Sequence, residues 1–524
     1  MTSLRFNTGT RNILIIIAFV FFAYFNALSN GFVWLDQFQI VDKGLIVSDL
    51  QGAAKVFTTN MVHQFKSMAG KGDYYRPLMN ISFSADYFLW KLVPFGYHLT
   101  SILLHLLSAL LVYRIFALLL KERSAALLGS LLFAVHPVLT SDVTLISGRA
   151  DPLCAVFFLS SLYLYMIAGS GSSKREAVIR NLPALVCFFC ALLSKEMAIT
   201  LPLIISAYWY FFQRDPPGSK AGGSRMQRAQ LLRVSLFYAA ALFYIVLKVV
   251  ITHGVGAGLP PFRGDFYRTS LAMARVIYDY LGLLILPVTL TISDAARVYD
   301  FIADPQVLIS FAVIALILLL AVLSWKKCRE ASFGILWFFL ALIPVLNIIP
   351  ARHFRAERFL YIPCIGIFLL LALFFRHLLK NERQRKRVMA GAFIVIFILS
   401  LRTIWRNMDF KDDLTLFTRT VSVSPYCNEA HLVLADTYLK QNNLAGAIKE
   451  YSQALSPNVK YITYKSYYEA YNNLGLAFAR SGYLDAAIEE FKEAYNICPD
   501  CGAAAENLKL AYSKKEGLKG EKPR

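Results

Sequence analysis

Residues Asn12 to Leu28 read NILIIIAFVFFAYFNAL, an uncharged run of almost continuous apolar side chains. About 18 apolar residues are enough to cross a hydrocarbon core of roughly 30 Å as a helix. Ten further apolar runs follow, at roughly 98–120, 124–141, 152–169, 181–194, 196–213, 233–252, 306–325, 331–349, 359–376 and 388–405. A water-soluble fold has no place for so much apolar surface. The expectation is an all-α polytopic membrane protein of about eleven transmembrane helices over residues 1–408. The chain is 57% hydrophobic and 17% charged with a mean hydropathy of +0.50, which agrees.

The net charge of +20 raises the question of nucleic acid. Its placement argues against that partner. The cations lie in short groups between apolar runs: Lys121 to Arg123, Lys174-Arg175, Arg214 to Arg233, Lys326 to Arg329 and Arg383 to Arg387. Basic groups at span ends orient a membrane protein with those ends in the cytoplasm. Arg5 and Arg11 place the N-terminus there too, so residues 29–97 form the first extracytoplasmic loop. The apolar stretch 270–290 carries Arg275 and Asp279. It reads as a re-entrant or surface-lying helix, because a full crossing would put Lys326 to Arg329 outside. Eleven crossings then place the C-terminal region outside the cytoplasm. The first run is too long for a removed signal peptide and has no small-residue cleavage site.

The C-terminal region repeats. Tyr471, Leu474, Gly475, Phe478, Ala487, Phe491 and Ala494 match His431, Leu434, Ala435, Tyr438, Ala447, Tyr451 and Ala454 at identical internal spacing. This is the packing pattern of a tetratricopeptide repeat, with small residues where two helices touch. The copies are 40 residues apart. The usual period is about 34, so about six residues are inserted near Pro457 to Tyr464. Residues 409–515 are read as two repeats with a capping helix from Ala503 to Tyr512, and 516–524 as a basic tail. Stacked repeats offer a concave surface for a peptide or partner; a spacer is the competing reading. Cys498 and Cys501 form a C-x-x-C without the second pair that a zinc site needs, and a disulfide is open to them.

The polar residues that interrupt the apolar runs carry the chemistry. The derived topology puts four clusters on one side: Trp34 to Gln37; Tyr74 to Pro77, backed by Pro94 to His98; His136-Pro137 with Asp142 and Ser147 to Asp151; and Asn347 through Arg352 to Arg358, with Tyr361. Lys195 and Glu196 join them. Arginines bind phosphate through charged, often bidentate hydrogen bonds, and a carboxylate can deprotonate an acceptor hydroxyl. Together they point to group transfer from a lipid phosphate. Structural readings compete: His98 and His105 as packed residues, His136 as a span-end cap, and Glu357–Arg358 or Lys195–Glu196 as bracing ion pairs. Asp36 is a lone acid beside the point where the chain leaves the membrane, and ionisable groups there usually have a task.

At these residues the chain resembles the transmembrane and tetratricopeptide-repeat O-mannosyltransferases and their bacterial relatives. The likeness lies in Gly31-Phe32-Val33-Trp34 ahead of an acid, Tyr75-Arg76-Pro77-Leu78, Phe95-Gly96-Tyr97-His98, Phe133 to Pro137, Gly148 to Asp151 and Ala356 to Tyr361. The resemblance implies the C fold of multi-spanning glycosyltransferases. It also implies transfer of a sugar, such as mannose, from a polyprenyl-phosphate donor to an acceptor hydroxyl on a protein or glycan at the extracytoplasmic face. The family has two adjacent acids in its first outer loop; the first position here is Leu35, so Asp36 is the candidate base. Arg149, Arg352, Arg355 and Arg358 are candidate phosphate ligands, with Glu357 orienting Arg358 and Tyr361 beside them. Arg76, His136, Asp142, Asp151, Lys195 and Glu196 are candidates for the acceptor side. No cofactor is expected and no metal ligands are assigned. The short repeat array suits a bacterial cytoplasmic membrane. Two rival classes are a membrane-anchored scaffold and a lipid-linked sugar flippase or polymerase.

Overall fold

Polar residues and prolines cut the apolar runs into helices of unequal length, and the cuts fall where the polar clusters lie. The computed structural model describes residues 8–43, 45–47, 49–59, 74–168, 174–213, 224–252, 265–348, 353–456, 461–462, 467–499 and 501–520. A helix stands at each of the eleven expected places. Among the described residues six are long and apolar enough to cross a membrane alone: Thr8–Ser29, Pro94–Leu120, Ile146–Ile167, Gln230–Thr252, Pro305–Ser324 and Glu382–Met408. A seventh is the bent pair Arg123–Val135 and Pro137–Thr144. The count of eleven full spans is therefore not met. The other places hold the short helices Val178–Ser194 and Cys364–Leu378, the helix Arg329–Leu342, and a broken run from Glu196 to Gln213. Irregular backbone is tolerated at membrane depth only where protein covers it; Val178–Ser194 and the run from Glu196 meet at Lys195, and Arg329–Leu342 gives way to a short turn at Pro344. The helix Phe266–Ile285, read as lying on the surface or re-entering, is not among the spans.

The bend has a local cause. Pro137 has no N–H, and the residue before a proline is pushed to extended geometry; His136 has φ −70° and ψ 127°. Val138 N donates to His136 Nδ1 at 3.3 Å, and His136 Nε2 donates to Leu284 O at 3.2 Å. His136 is a cap, the structural alternative read for it.

The bundle is centred on Pro94–Leu120 and Ile146–Ile167, whose most apolar windows are 56% and 61% buried, against 11% for the lipid-facing Pro305–Ser324. Glycine permits one close approach in particular: a Cβ on Gly366 would overlap the Gly334 carbonyl, so Arg329–Leu342 and Cys364–Leu378 touch through backbone, the usual device of membrane helix pairs. Asn407 ties the last span to the first, donating to Ala23 O at 2.8 Å and Asn26 Oδ1 at 2.7 Å.

The repeats form two helix pairs, Asn428–Lys440 with Leu444–Leu455 and Tyr467–Arg480 with Leu484–Ile497, followed by Gly502–Gly520. That last helix is longer than the cap expected over 503–512. A Cβ on Gly475 would meet the Phe491 ring at 2.7 Å, which is why the pattern needs a small residue there. Cys498 and Cys501 are joined in a disulfide. The module docks on the membrane part. Gly31 N donates to Lys411 O (3.2 Å) and Trp34 N to Asp413 Oδ1 (2.6 Å). Val33, Leu145 and Ile292 pack with Phe410, Leu416, Phe417 and Ala430 in one apolar cluster. The inserted segment between the repeats takes part: Tyr461–Ile462 pairs antiparallel with Ala296–Arg297.

Candidate active site

Most of the described candidate residues fall in three polar centres.

The first centre holds Asp36 and Arg149. Asp36 is fully buried, its Oδ1 accepting from Ser147 N (2.6 Å) and its Oδ2 from Val33 N (3.1 Å). It clamps the 33–37 turn to the 146–149 turn. Burial raises this carboxyl from its ordinary 3.8 to about 7, against the pull of its amide donors. Arg149 is also fully buried. It pairs with Asp86 at 2.5 Å and donates to Tyr97 O (2.7 Å), Ser101 Oγ (3.3 Å) and Ser82 O (3.4 Å), over the Phe83 ring. Every nitrogen of the guanidinium is engaged, so the expectation that Arg149 meets a lipid phosphate gives way to a bracing role. Asp86 was not singled out in the sequence. A lone acid within the apolar Ile81–Trp90 stretch was the available signal.

The second centre is built from the broken span ends. Asp142 sits in the short helix Thr140–Thr144, fully buried; Ser141 Oγ donates to its Oδ2 at 3.4 Å, and among the described residues its Oδ1 receives no N–H or O–H. The Asp151 carboxylate acts electrostatically on Asp142. Lys195, extended at the break between two helical pieces, donates to both Asp151 oxygens at 2.6 and 2.5 Å. Beside them Arg76 forks onto Glu196, at 3.0 and 2.6 Å. The turn Glu357–Leu360 packs against this region, and Arg358 on it acts electrostatically on Asp142. Among the described residues the half-buried Arg358 has no ion pair or hydrogen-bonded partner for its side chain; the Phe359 ring lies 5.7 Å away. Tyr361 lies in the bundle core, its hydroxyl donating to His105 Nδ1 at 2.7 Å while His105 Nε2 donates to Ala134 O.

Glu357 does not orient Arg358. It is buried, accepts from Thr291 N, and pairs with Arg406 Nη2 at 3.5 Å. Neighbours in a tight turn point apart by about a third of a revolution, so adjacency in sequence did not mean contact. Burial raises the Glu357 carboxyl to about 7, with Arg406 opposing. The third centre contains Arg355, paired with Asp279 (3.1 Å) and Asp294 (3.0 Å). Arg352 lies outside the described residues. Among those described, no group of three or more His, Cys, Asp or Glu could hold a metal ion.

The raised acids make a testable statement. The folded state holds protons on Asp36 and Glu357 that the unfolded chain releases near pH 4, so stability should fall as pH rises from about 4 to about 7. The folded fraction surviving a heat challenge across that range is the measurement. Asp36→Asn should flatten the slope; an unchanged slope would show that Asp36 is not held in this buried state.

Taken together these features define a multi-spanning membrane protein whose broken span ends gather buried charge beneath a docked helical-repeat module. A tetratricopeptide-repeat family model matches residues 405–459 and 432–503. Over most of its length the chain is similar to proteins named protein O-mannosyl-transferases. It is 26% identical over 471 residues to F38B6.6 of Caenorhabditis elegans, covering 86% of this chain and 64% of that one. It is 29% identical to TMTC4 of Homo sapiens, covering 72% and 57%, and 26% identical to TMTC3 of Homo sapiens, covering 86% and 51%. The resemblance read from the motifs thus holds across the chain, which spans less than two thirds of the length of these relatives. Among solved structures, the apo oligosaccharyltransferase of Archaeoglobus fulgidus aligns with a TM-score of 0.41 at 14% identity, covering 87% of this chain and 61% of that one.

Proposed function

We propose that this protein is a membrane glycosyltransferase that moves a sugar, such as mannose, from a polyprenyl-phosphate donor to a hydroxyl on a protein acceptor. The names of its relatives support the reaction class. The observation that carries the assignment to a site is the buried Asp142, with a carboxylate oxygen that is open among the described residues, beside the Asp151–Lys195 pair and acted on electrostatically by Arg358, whose side chain has no hydrogen-bonded or ion-pair partner among the described residues. A general base needs an oxygen free to take a proton. Asp142 has one, whereas both Asp36 oxygens are held by backbone amides. The base role is therefore given to Asp142, and Asp36 holds the first loop in place above it.

The step is a single displacement with inversion. The acceptor oxygen attacks the anomeric carbon as its proton passes to Asp142. The bond from that carbon to the phosphate oxygen breaks, and the lipid phosphate leaves with the electron pair. Its charge falls to Arg358, the one candidate arginine among the described residues not committed to a carboxylate. Lys195 holds the Asp151 carboxylate in place beside Asp142, and the forked Arg76–Glu196 pair holds the end of the neighbouring helix. The repeat module and this centre share one face, which the basic groups between spans orient away from the cytoplasm. The membrane is read as a bacterial cytoplasmic membrane.

Arg358→Lys tests the phosphate assignment. Lysine keeps the charge and loses the forked geometry. Losing about one charged hydrogen bond should lower donor use about tenfold, with folded yield unchanged. A collapse in yield would make Arg358 a structural residue and remove it from the site.

A further inference from the structure

On the other side of the 355–358 turn from Asp142 lies a pocket of about 430 Å³. One wall is the helix Phe266–Ile285 with the segment 294–299; the other is Val423–Tyr426, at the start of the repeat module. We propose that this pocket is the acceptor subsite, taking a peptide that carries a serine or threonine next to an acidic residue. The acceptor role rests on the transferase reading above; the binding chemistry does not.

The lining decides the class of ligand. It contains three guanidiniums, of Arg275, Arg297 and Arg355, and two carboxylates, of Asp279 and Asp294. Arg355 bridges both acids, and Arg275 pairs with Asp279 at 2.9 Å. Those charges are matched among themselves. Arg297 is the surplus: it is exposed, its Nη1 donates only to the Gln306 amide oxygen at 3.2 Å, and no carboxylate among the described residues pairs with it. A lipid tail has nothing to gain from such a lining, and a neutral sugar would leave the surplus cation unused. An acidic side chain would pair with it. Pockets of about 300–1,000 Å³ hold ligands of drug size, which suits a few peptide residues.

Position links the pocket to the reacting centre. Arg355 and Arg358 belong to one turn, and Tyr280 grips that turn between them, its Oη accepting from Ala356 N at 3.1 Å and donating to Ala356 O at 3.2 Å. A peptide in the pocket lies one turn from the arginine assigned to the phosphate. Because the repeat module supplies a wall, through Tyr426 and through Ser424, which donates to Asp294 at 2.5 Å, its docking completes the site.

The test uses the full chain in lipid nanodiscs with p-benzoylphenylalanine in place of the half-exposed Tyr426, and short synthetic peptides that place glutamate or lysine beside a threonine. The glutamate peptide should be photolabelled about tenfold better than the lysine peptide, as one charged hydrogen bond would give. Arg297→Gln, at an exposed position that should not disturb folding, should abolish the preference. Equal labelling by both peptides, no labelling, or displacement of the label by a neutral oligosaccharide would overturn the proposal. Labelling needs no donor. Selective labelling by a protein that transfers no sugar would therefore support the pocket while sinking the transferase reading.

Discussion

Asp142→Asn is expected to lower sugar transfer at least about a hundredfold while leaving the protein folded. Asparagine keeps the size and accepts the weak Ser141 hydrogen bond, but it cannot take a proton. General-base catalysis contributes about 10²–10⁴-fold, so the loss should fall in that range and donor binding should survive. Folding should tolerate the change, because Asp142 Oδ1 has no donor to lose among the described residues and an amide in its place removes the repulsion from Asp151. The paired variant Asp36→Asn should behave differently. An amide nitrogen would then face one of the two backbone N–H groups that now donate to the carboxylate. The unmatched donors cost about 1–3 kcal/mol, which should appear as lost folded yield with transfer per folded molecule reduced much less. If Asp142→Asn transfers normally and Asp36→Asn alone abolishes transfer, the two roles are reversed.

Arg149→Met should be the most damaging single change to the fold. It strands the Asp86 carboxylate, which is nearly fully buried, without its partner. Breaking one side of a buried ion pair costs about 3–5 kcal/mol, whereas replacing both sides by apolar groups is often neutral. Folded yield and heat resistance should therefore collapse in Arg149→Met and return in the double variant with Asp86→Leu. A phosphate ligand would behave otherwise: the single variant would fold and lose only donor use, and the double variant would not restore it.

These expectations show where sequence stopped being informative. The apolar runs, the repeat pattern with Gly475 against Phe491, and the cap at His136 were legible because each is a local rule of spacing or backbone geometry. The likeness to O-mannosyltransferases was legible from an ordered set of short motifs. Which arginine is free was not. Arg149 finds Asp86 from another helix, Arg355 finds Asp279 and Asp294, and Glu357 finds Arg406 rather than its neighbour. Pairing over such distances depends on how helices pack, and no spacing encodes it. Full-length helices are fewer than the apolar runs for a related reason. The runs at 181–194, 196–213, 331–349 and 359–376 are apolar, yet their helices are ended or broken at Lys195, at Pro344 and at the Glu357–Leu360 turn. Asp142 was read as belonging to the acceptor side; its open oxygen and its carboxylate neighbour emerge only when the bent span brings 142 against 151.

The most direct measurement is transfer itself. Purified full-length protein in nanodiscs would be given radiolabelled polyprenyl-phosphate mannose and a threonine peptide with a neighbouring glutamate, beside an equally folded Asp142→Asn sample. The label should appear on the peptide with the wild-type protein and fall at least about a hundredfold with the variant. Folded wild-type protein that leaves the peptide unlabelled with this donor, or labels it as well after Asp142→Asn, would contradict the account.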